Sequence, residues 1–250
     1  MRGWRVSRGL MNRLSCIDAG EVGTLSLGQE VGSQWGIPLS FVFRSRFVLF
    51  LFSFLSSHYM MTYKQLAGSR LILDVGCGSG LPMRCLRRLG LVSRVVGVDV
   101  FVSYLHNVKR LGIYSNCVVA SAEFLPFRER SFDSLICLQV IEHLDRRGGF
   151  AALRELSRVA DKVIVTAPVG SVEADVDQWN PFQRHRSGWY PEDLRRLGYD
   201  VRGFGWFRIL RLSRLAPLFV MFNLVLALAL RQAPRLAYHM YAVKTHQLLR

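Results

Sequence analysis

Between residues 65 and 205 the chain alternates short apolar runs with longer stretches in which apolar positions recur at helical spacing. Leu71-Ile72-Leu73-Asp74-Val75 reads as a buried strand, because a nearly continuous apolar run bounded by glycine suits a sheet covered on both faces. Leu81, Cys85, Leu86 and Leu89 then mark one face of a helix, with Arg84, Arg87 and Arg88 off the stripe and Gly90 placed to end it. Residues 94–99 read as a second strand. Val102, Leu105, Val108 and Leu111 outline a second helix stopped by Gly112, and a third strand follows over 116–120. Further strands are expected over 131–138, 163–168 and 199–204. A helix starts at Pro191, where proline suits the first turn and Glu192 and Asp193 meet the positive end of the dipole; Gly198 ends it. Alternation of this kind predicts an α/β fold with a parallel sheet.

Chemistry enters where the first strand meets the first helix. Gly76, Gly78 and Gly80 alternate with Cys77 and Ser79 directly after the strand. Glycine there opens backbone conformations closed to other residues and lets a ligand approach the main chain without a Cβ in the way. Such strand-to-helix turns are where open α/β sheets bind nucleotides. Asp99 ends the second strand 23 residues after Gly76, the distance that sets a carboxylate beside a bound ribose. Two nucleotide readings compete. The dinucleotide fingerprint G-x-G-x-x-G/A needs a small third residue where this chain has Leu81, its third glycine coming one position earlier.

The stretches downstream separate them. Ser121-Ala122-Glu123-Phe124-Leu125-Pro126-Phe127 is followed by Ser131-Phe132-Asp133, then Glu142-His143-Leu144, then Ala152-Leu153-Arg154-Glu155-Leu156 and the run Val163-Ile164-Val165-Thr166-Ala167-Pro168. With the G-x-G-x-G loop after Asp74, this order resembles the class I methyltransferases that use S-adenosylmethionine (SAM), in particular the methyltransferase type 11 family that includes the quinone-biosynthesis C-methyltransferases. The resemblance covers about residues 65–205. It implies a Rossmann-like, seven-stranded, mostly parallel sheet with helices on both faces, and residues 238–243 returning antiparallel as the last strand. It also implies site roles. Gly76, Cys77, Gly78 and Gly80 pass around the methionine and ribose, Asp74 holds the loop, and Asp99 takes the ribose hydroxyls. Val100 lines the adenine, Ser121 and Ala122 sit at its edge, and Gln139 lies near the amino-acid end of SAM. The family usually has aspartate at the position of Ser121, so a neutral acceptor there implies weaker SAM binding.

The apolar pattern does not stop at this domain, from residue 65 to the end. Residues 41–64 form an aromatic-rich lead-in, with an uninterrupted run from Phe47 to Leu55 that falls far short of the ~20 residues a membrane span needs. It predicts a helix lying over the domain or shallowly in an interface. A second apolar run over 215–230, inside an insert at about 206–236, has Asn223 as its one polar side chain. Arg208, Arg211 and Arg214 precede it, and Arg231 and Arg235 follow. As a helix it reaches ~24 Å, against a hydrocarbon core of ~30 Å. A last strand returning to the same sheet would put both its ends on one side of a membrane. The pattern suits an interfacial helix at an anionic surface, or a lid over the domain's own pocket.

Charge fits that picture. The net +15 divides into +5 over residues 1–70, +2 over 71–200 and +8 over 201–250. The excess lies at the ends, beside apolar runs. Nucleic-acid binding would instead want basic residues interleaved with polar groups or exposed aromatics. Residues 1–40 show no sustained periodicity and read as a tail or as translation from an upstream start codon. Five cysteines with no C-x-x-C pair suggest neither a disulfide framework nor a metal site, and fit a reducing cytoplasm.

Two histidines are candidate catalytic bases: His143, just past the fourth strand, and His185, in the aromatic and polar segment 178–190 after the fifth. Each has a structural alternative as a histidine bonded to nearby backbone. The function expected is SAM-dependent methyl transfer to a small-molecule or lipid-like acceptor, by a cytoplasmic protein peripherally attached to a membrane. A catalytically silent membrane-associated binding protein on the same fold, or an RNA methyltransferase, is the alternative.

Overall fold

The computed structural model describes residues 57–172, 179–207 and 230–246. The expected tail, residues 41–56 of the lead-in and residues 208–229 of the apolar insert lie outside them. The described elements are helix α1 (Ser57–Leu66), strand β1 (Leu71–Val75), α2 (Leu81–Arg88), β2 (Arg94–Asp99), α3 (Val102–Arg110), β3 (Asn116–Val119), β4 (Phe132–Leu138), α4 (Arg146–Val159), β5 (Ala160–Pro168), α5 (Pro191–Arg195), β6 (Asp200–Phe207) and β7 (Ala237–Thr245).

The strands form one sheet in the order β3-β2-β1-β4-β5-β7-β6. The first five are parallel, and β7 lies antiparallel between β5 and β6. This is the expected seven-stranded, mostly parallel sheet. Side-chain alternation sends successive residues to opposite faces. Leu73, Val75, Leu135, Cys137, Val163 and Val165 pack beneath α4 through Ala152, Leu153, Leu156 and Val159. Ile72, Ile136 and Ile164 face the other way, against Met83 and Leu86 of α2, Leu105 and Val108 of α3 and Leu66 of α1. Both faces are therefore covered, which is why the central strands read as unbroken apolar runs.

Strand order reverses between β1 and β4, and the crevice at such a switch point is where open parallel sheets take ligands. The β1–α2 loop and the chain leaving β4 form its two walls. β6 runs parallel to β5, so it ends at this same edge. Phe207 pairs with Ala237, and the returning chain packs Leu230 and Pro234 over Gly203, where a Cβ would collide with both. The insert thus leaves and rejoins the domain at the ligand edge. No helix among the described residues is long and apolar enough to cross a membrane.

Element ends differ modestly from the pattern. α5 closes at Arg195, before Gly198, while β5 and β7 are longer than expected because they pair with each other along Lys162–Pro168. Arg235, expected to flank the insert, pairs with Glu192 at 2.6 Å.

Candidate cofactor cradle and acceptor face

Backbone hydrogen bonds fix the glycine loop to the end of β2. Gly76 and Cys77 donate N–H to the Val98 carbonyl at 2.8 and 3.0 Å, and Gly80 donates to Cys77 at 2.9 Å. Gly78 N–H donates to Asp99 Oδ2 at 2.8 Å, while Phe101 N–H takes Oδ1 at 2.9 Å. The Asp99 carboxyl is nearly buried. Burial raises its pKa, and the N–H groups of Phe101, Gly78 and Val100 pull it down. Each carboxylate oxygen accepts two hydrogen bonds, so Asp99 retains capacity for ribose hydroxyls after anchoring the loop.

Gly78 sits at φ 51°, and a Cβ built there would meet nothing within 4 Å. The loop therefore presents bare backbone to open space beside a carboxylate. That arrangement fits a nucleoside cofactor of the SAM type. Gly76 serves differently, since a Cβ there would run into the Val140 side chain. The two walls of the crevice thus touch at Gly76 and Val140. Gln139, just before, adopts a left-handed φ of 57°, its N–H donating to the Thr166 carbonyl at 3.0 Å and its Nε2 to Thr166 Oγ1 at 3.1 Å. Such backbone in a non-glycine residue is held by its surroundings and clusters at ligand sites.

Asp74 acts from beneath the loop. Its carboxyl is buried and accepts the Tyr114 hydroxyl at 2.7 Å; burial pushes its pKa up to about 7, against the Tyr114 bond and with help from nearby Asp99. The Tyr114 ring lies against Gly97, where a Cβ would stand 3.0 Å from it, and a Cβ on Gly80 would lie 3.6 Å from it. Cys77 is likewise buried, its thiol pKa raised by burial, and its Sγ faces Gly97 rather than the crevice. Tyr114 had no motif to announce it. The available signal was Gly97, a glycine inside a strand, which marks close approach by another group.

Of the residues expected to flank adenine, Val100 is exposed and Ala122 belongs to the core. Ser121 lies just past β3, whose Val119 pairs with Asp99. Its hydroxyl accepts Glu123 N–H and donates to Glu123 Oε2, both at 3.2 Å.

Beyond β4, a single 3-10 turn (Ile141–His143) carries Glu142 and His143, and the segment after β5 brings His185 to them. The two imidazole centroids lie 4.9 Å apart at 66°. Main-chain bonds stitch the segments together, with Arg186 and Ser187 donating N–H to the Glu142 carbonyl at 2.8 and 3.2 Å. Ser187 Oγ donates to the Leu144 carbonyl at 2.7 Å, and the buried Trp189 donates Nε1–H to the Ile141 carbonyl at 3.1 Å. The Trp189 ring presses on Gly149 of α4, while Arg146 covers that ring and pairs with Asp193 through both guanidinium nitrogens. Burial pushes Glu142 up to about 8, and burial together with His185 lowers His143. The two histidines, expected as separate candidates, form one cluster with a buried acid that the sequence reading had assigned no role.

Residues 73–162 match the family model described as a methyltransferase domain. The ubiquinone biosynthesis O-methyltransferase of Xanthomonas euvesicatoria pv. vesicatoria is 37% identical over 92 residues, covering 34% of this chain and 37% of that protein. The mitochondrial protein of Danio rerio named arginine-hydroxylase NDUFAF5 is 36% identical over 102 residues, covering 40% of this chain and 31% of its own length. The chain thus spans about a third of the length of these curated relatives. Among solved structures, the PH0226 protein from Pyrococcus horikoshii OT3 shares the fold with a TM-score of 0.52 at 17% identity, over 78% of this chain and 90% of that one.

Proposed function

We propose that this chain, whose residues 73–162 form a class I methyltransferase domain, transfers a methyl group from SAM to a small or lipid-like acceptor at a membrane surface. The observation that carries the cofactor half is the open face of Gly78 beside Asp99 at the switch point of the sheet. SAM supplies an electrophilic methyl carbon, so the chain's own task is alignment, which can lower a barrier by roughly 7–11 kcal/mol. Asp99 holds the ribose, Val100 flanks the adenine with Ser121 at its edge, and the wall at Gln139 borders the amino-acid end. His143 and His185 stand on the acceptor side, available to a proton where the nucleophile carries one.

The acceptor half rests on the basic, apolar run over 215–230, whose flanking strands meet at the ligand edge. An apolar run inserted between strands that end at the ligand edge favours a lipid-soluble acceptor, and the arginines before it in sequence suit anionic headgroups. The relatives' names diverge, one an O-methyltransferase of ubiquinone biosynthesis and another, from Cellvibrio japonicus, a tRNA U34 carboxymethyltransferase, so an RNA acceptor is the second reading. Incubation with SAM labelled in its methyl group and a membrane extract is expected to label the lipid fraction. Label in the protein or RNA fraction instead would overturn the lipid assignment. No label in any fraction, with SAM bound, would favour a silent binding protein. Deleting 215–230 should abolish co-sedimentation with anionic liposomes, and unchanged sedimentation of a folded deletant would remove the membrane.

A further inference from the structure

The cluster on the acceptor face has a feature that methyl transfer by alignment does not use. Glu142 is 2% exposed, and neither of its carboxylate oxygens has a hydrogen-bond partner. Buried carboxylates are ordinarily paired, hydrogen-bonded or bound to a metal. Among the described residues no lysine or arginine forms an ion pair with this one. What meets it are two imidazoles, for Glu142, His143 and His185 each offer a ligand atom, and all three atoms lie within 4.8 Å of one another.

The imidazoles are oriented as ligands. His143 Nδ1 lies 3.3 Å from the Arg184 carbonyl, and His185 Nδ1 lies 2.6 Å from the Val172 carbonyl. A carbonyl oxygen only accepts, so Nδ1 is the donor in both rings, and a metal ion would take the other nitrogen, Nε2, from the neutral ring. This is the outer hydrogen bond that metal-binding histidines characteristically make, fixing tautomer and ring orientation. Ligands around one tetrahedral ion at ~2.1 Å lie ~3.4 Å apart, so side-chain shifts of up to about an ångström would close the set. The backbone that carries the ligands is held by the Arg186 and Ser187 bonds to the Glu142 carbonyl and by Trp189.

We propose that Glu142, His143 and His185 bind one divalent first-row metal ion on the acceptor side of the crevice. Two neutral imidazoles and a carboxylate suit manganese, iron, cobalt or zinc rather than calcium or magnesium, which prefer all-oxygen shells. Three protein ligands leave coordination positions open. Resting on the methyltransferase reading, an ion here binds an acceptor oxygen through an open position and lowers its pKa, so that neither histidine need act as a base.

The test keeps metal binding separate from methyl transfer. The full chain, stripped with a chelator, is titrated with Co2+ and followed by visible absorption, while SAM binding is measured calorimetrically on the same preparations. One equivalent of Co2+ is expected to saturate a ligand-field band. His143→Ala and His185→Ala should each abolish it, and Glu142→Gln should weaken binding at least tenfold. His106→Ala, on the exposed side of α3, should change nothing. Absence of a saturable band, or a band undisturbed in all three site variants, overturns the proposal. If the alanine variants fail to fold, Zn2+ protection of histidines from diethyl pyrocarbonate in the unmodified chain decides the matter. Protection of His143 and His185 supports the site, and protection of neither overturns it. Loss of SAM binding alone, with the cobalt band intact, would count against the cofactor cradle and leave the metal site standing.

Discussion

Asp74→Asn separates a strut beneath the loop from a contact with cofactor. The Asp74 carboxyl is buried at 2% exposure, takes one hydrogen bond from Tyr114 and titrates near 7, against 3.8 in the unfolded chain. At ~1.4 kcal/mol per pKa unit, holding it ionised in the fold costs about 4 kcal/mol. The unfolded chain releases this proton near pH 4, whereas the native protein keeps it until about pH 7. Between those limits the native state binds one proton more, so this site makes stability fall by ~1.4 kcal/mol per pH unit, and above pH 7 its effect levels off. Asparagine has no proton to lose, and its Oδ1 still accepts the Tyr114 hydroxyl. The variant should match the parent near pH 4 and exceed it by up to about 4 kcal/mol at pH 8. Urea unfolding at pH 5, 6, 7 and 8 measures the difference. Glu142, raised for the same reason, tilts both proteins alike and cancels. Parallel stability profiles for parent and variant would refute the reasoning, because Asp74 would then titrate alike in both states.

Two further substitutions probe the cradle. Gly78→Val places a side chain in the open face at a positive φ, at a strain of roughly 1–2 kcal/mol. Its circular dichroism should stay native while SAM affinity, measured calorimetrically, falls more than tenfold; native affinity would show that the cofactor does not lie against this glycine. Ser121→Asp supplies the charge that the family usually has, keeps the acceptor for Glu123 N–H, and should tighten SAM about fivefold. Because Glu123 Oε2 lies 3.2 Å from Ser121 Oγ, the substitution is best read with Glu123→Gln beside it, and an unchanged dissociation constant in that pair would remove Ser121 from the adenine edge.

The glycine loop and Asp99, proposed to hold the cofactor, were legible because local pattern determines them. Gly76, Gly78, Gly80 and Asp99 lie in one strand–helix–strand unit, and their spacing already carries the geometry. What was not legible is how side chains divide between crevice and core. Cys77 and Ala122 were expected in the cradle by position, yet both side chains are buried in packing, so only their backbone remains for a ligand. Asp74 and Tyr114 meet across 40 positions of sequence, and only the unexplained glycine in β2 hinted at it. The sheet was readable for a related reason. Burial on both faces forces unbroken apolar runs, whereas the antiparallel place of β7 came from family likeness and not from its own residues.

The acceptor half has the opposite character. Glu142, His143 and His185 converge because Trp189 reaches the Ile141 carbonyl and because Gly149 leaves room for its ring. Paired glycines early in α4 would weaken an isolated helix by ~1 kcal/mol each, and at Gly149 the cost is offset by admitting the indole that holds the 3-10 turn. Arg146 adds a second tie by stacking on that indole while pairing with Asp193 at the start of α5. Three distant stretches are thereby fixed to one another around a carboxylate that has no hydrogen-bond partner among the described residues. A histidine serving only to brace the backbone would not require a buried, unpaired acid beside it. The expense of burying Glu142 becomes intelligible when a cation completes the cluster, so the chemistry of the acceptor face turns on the cobalt titration before it turns on the identity of the acceptor.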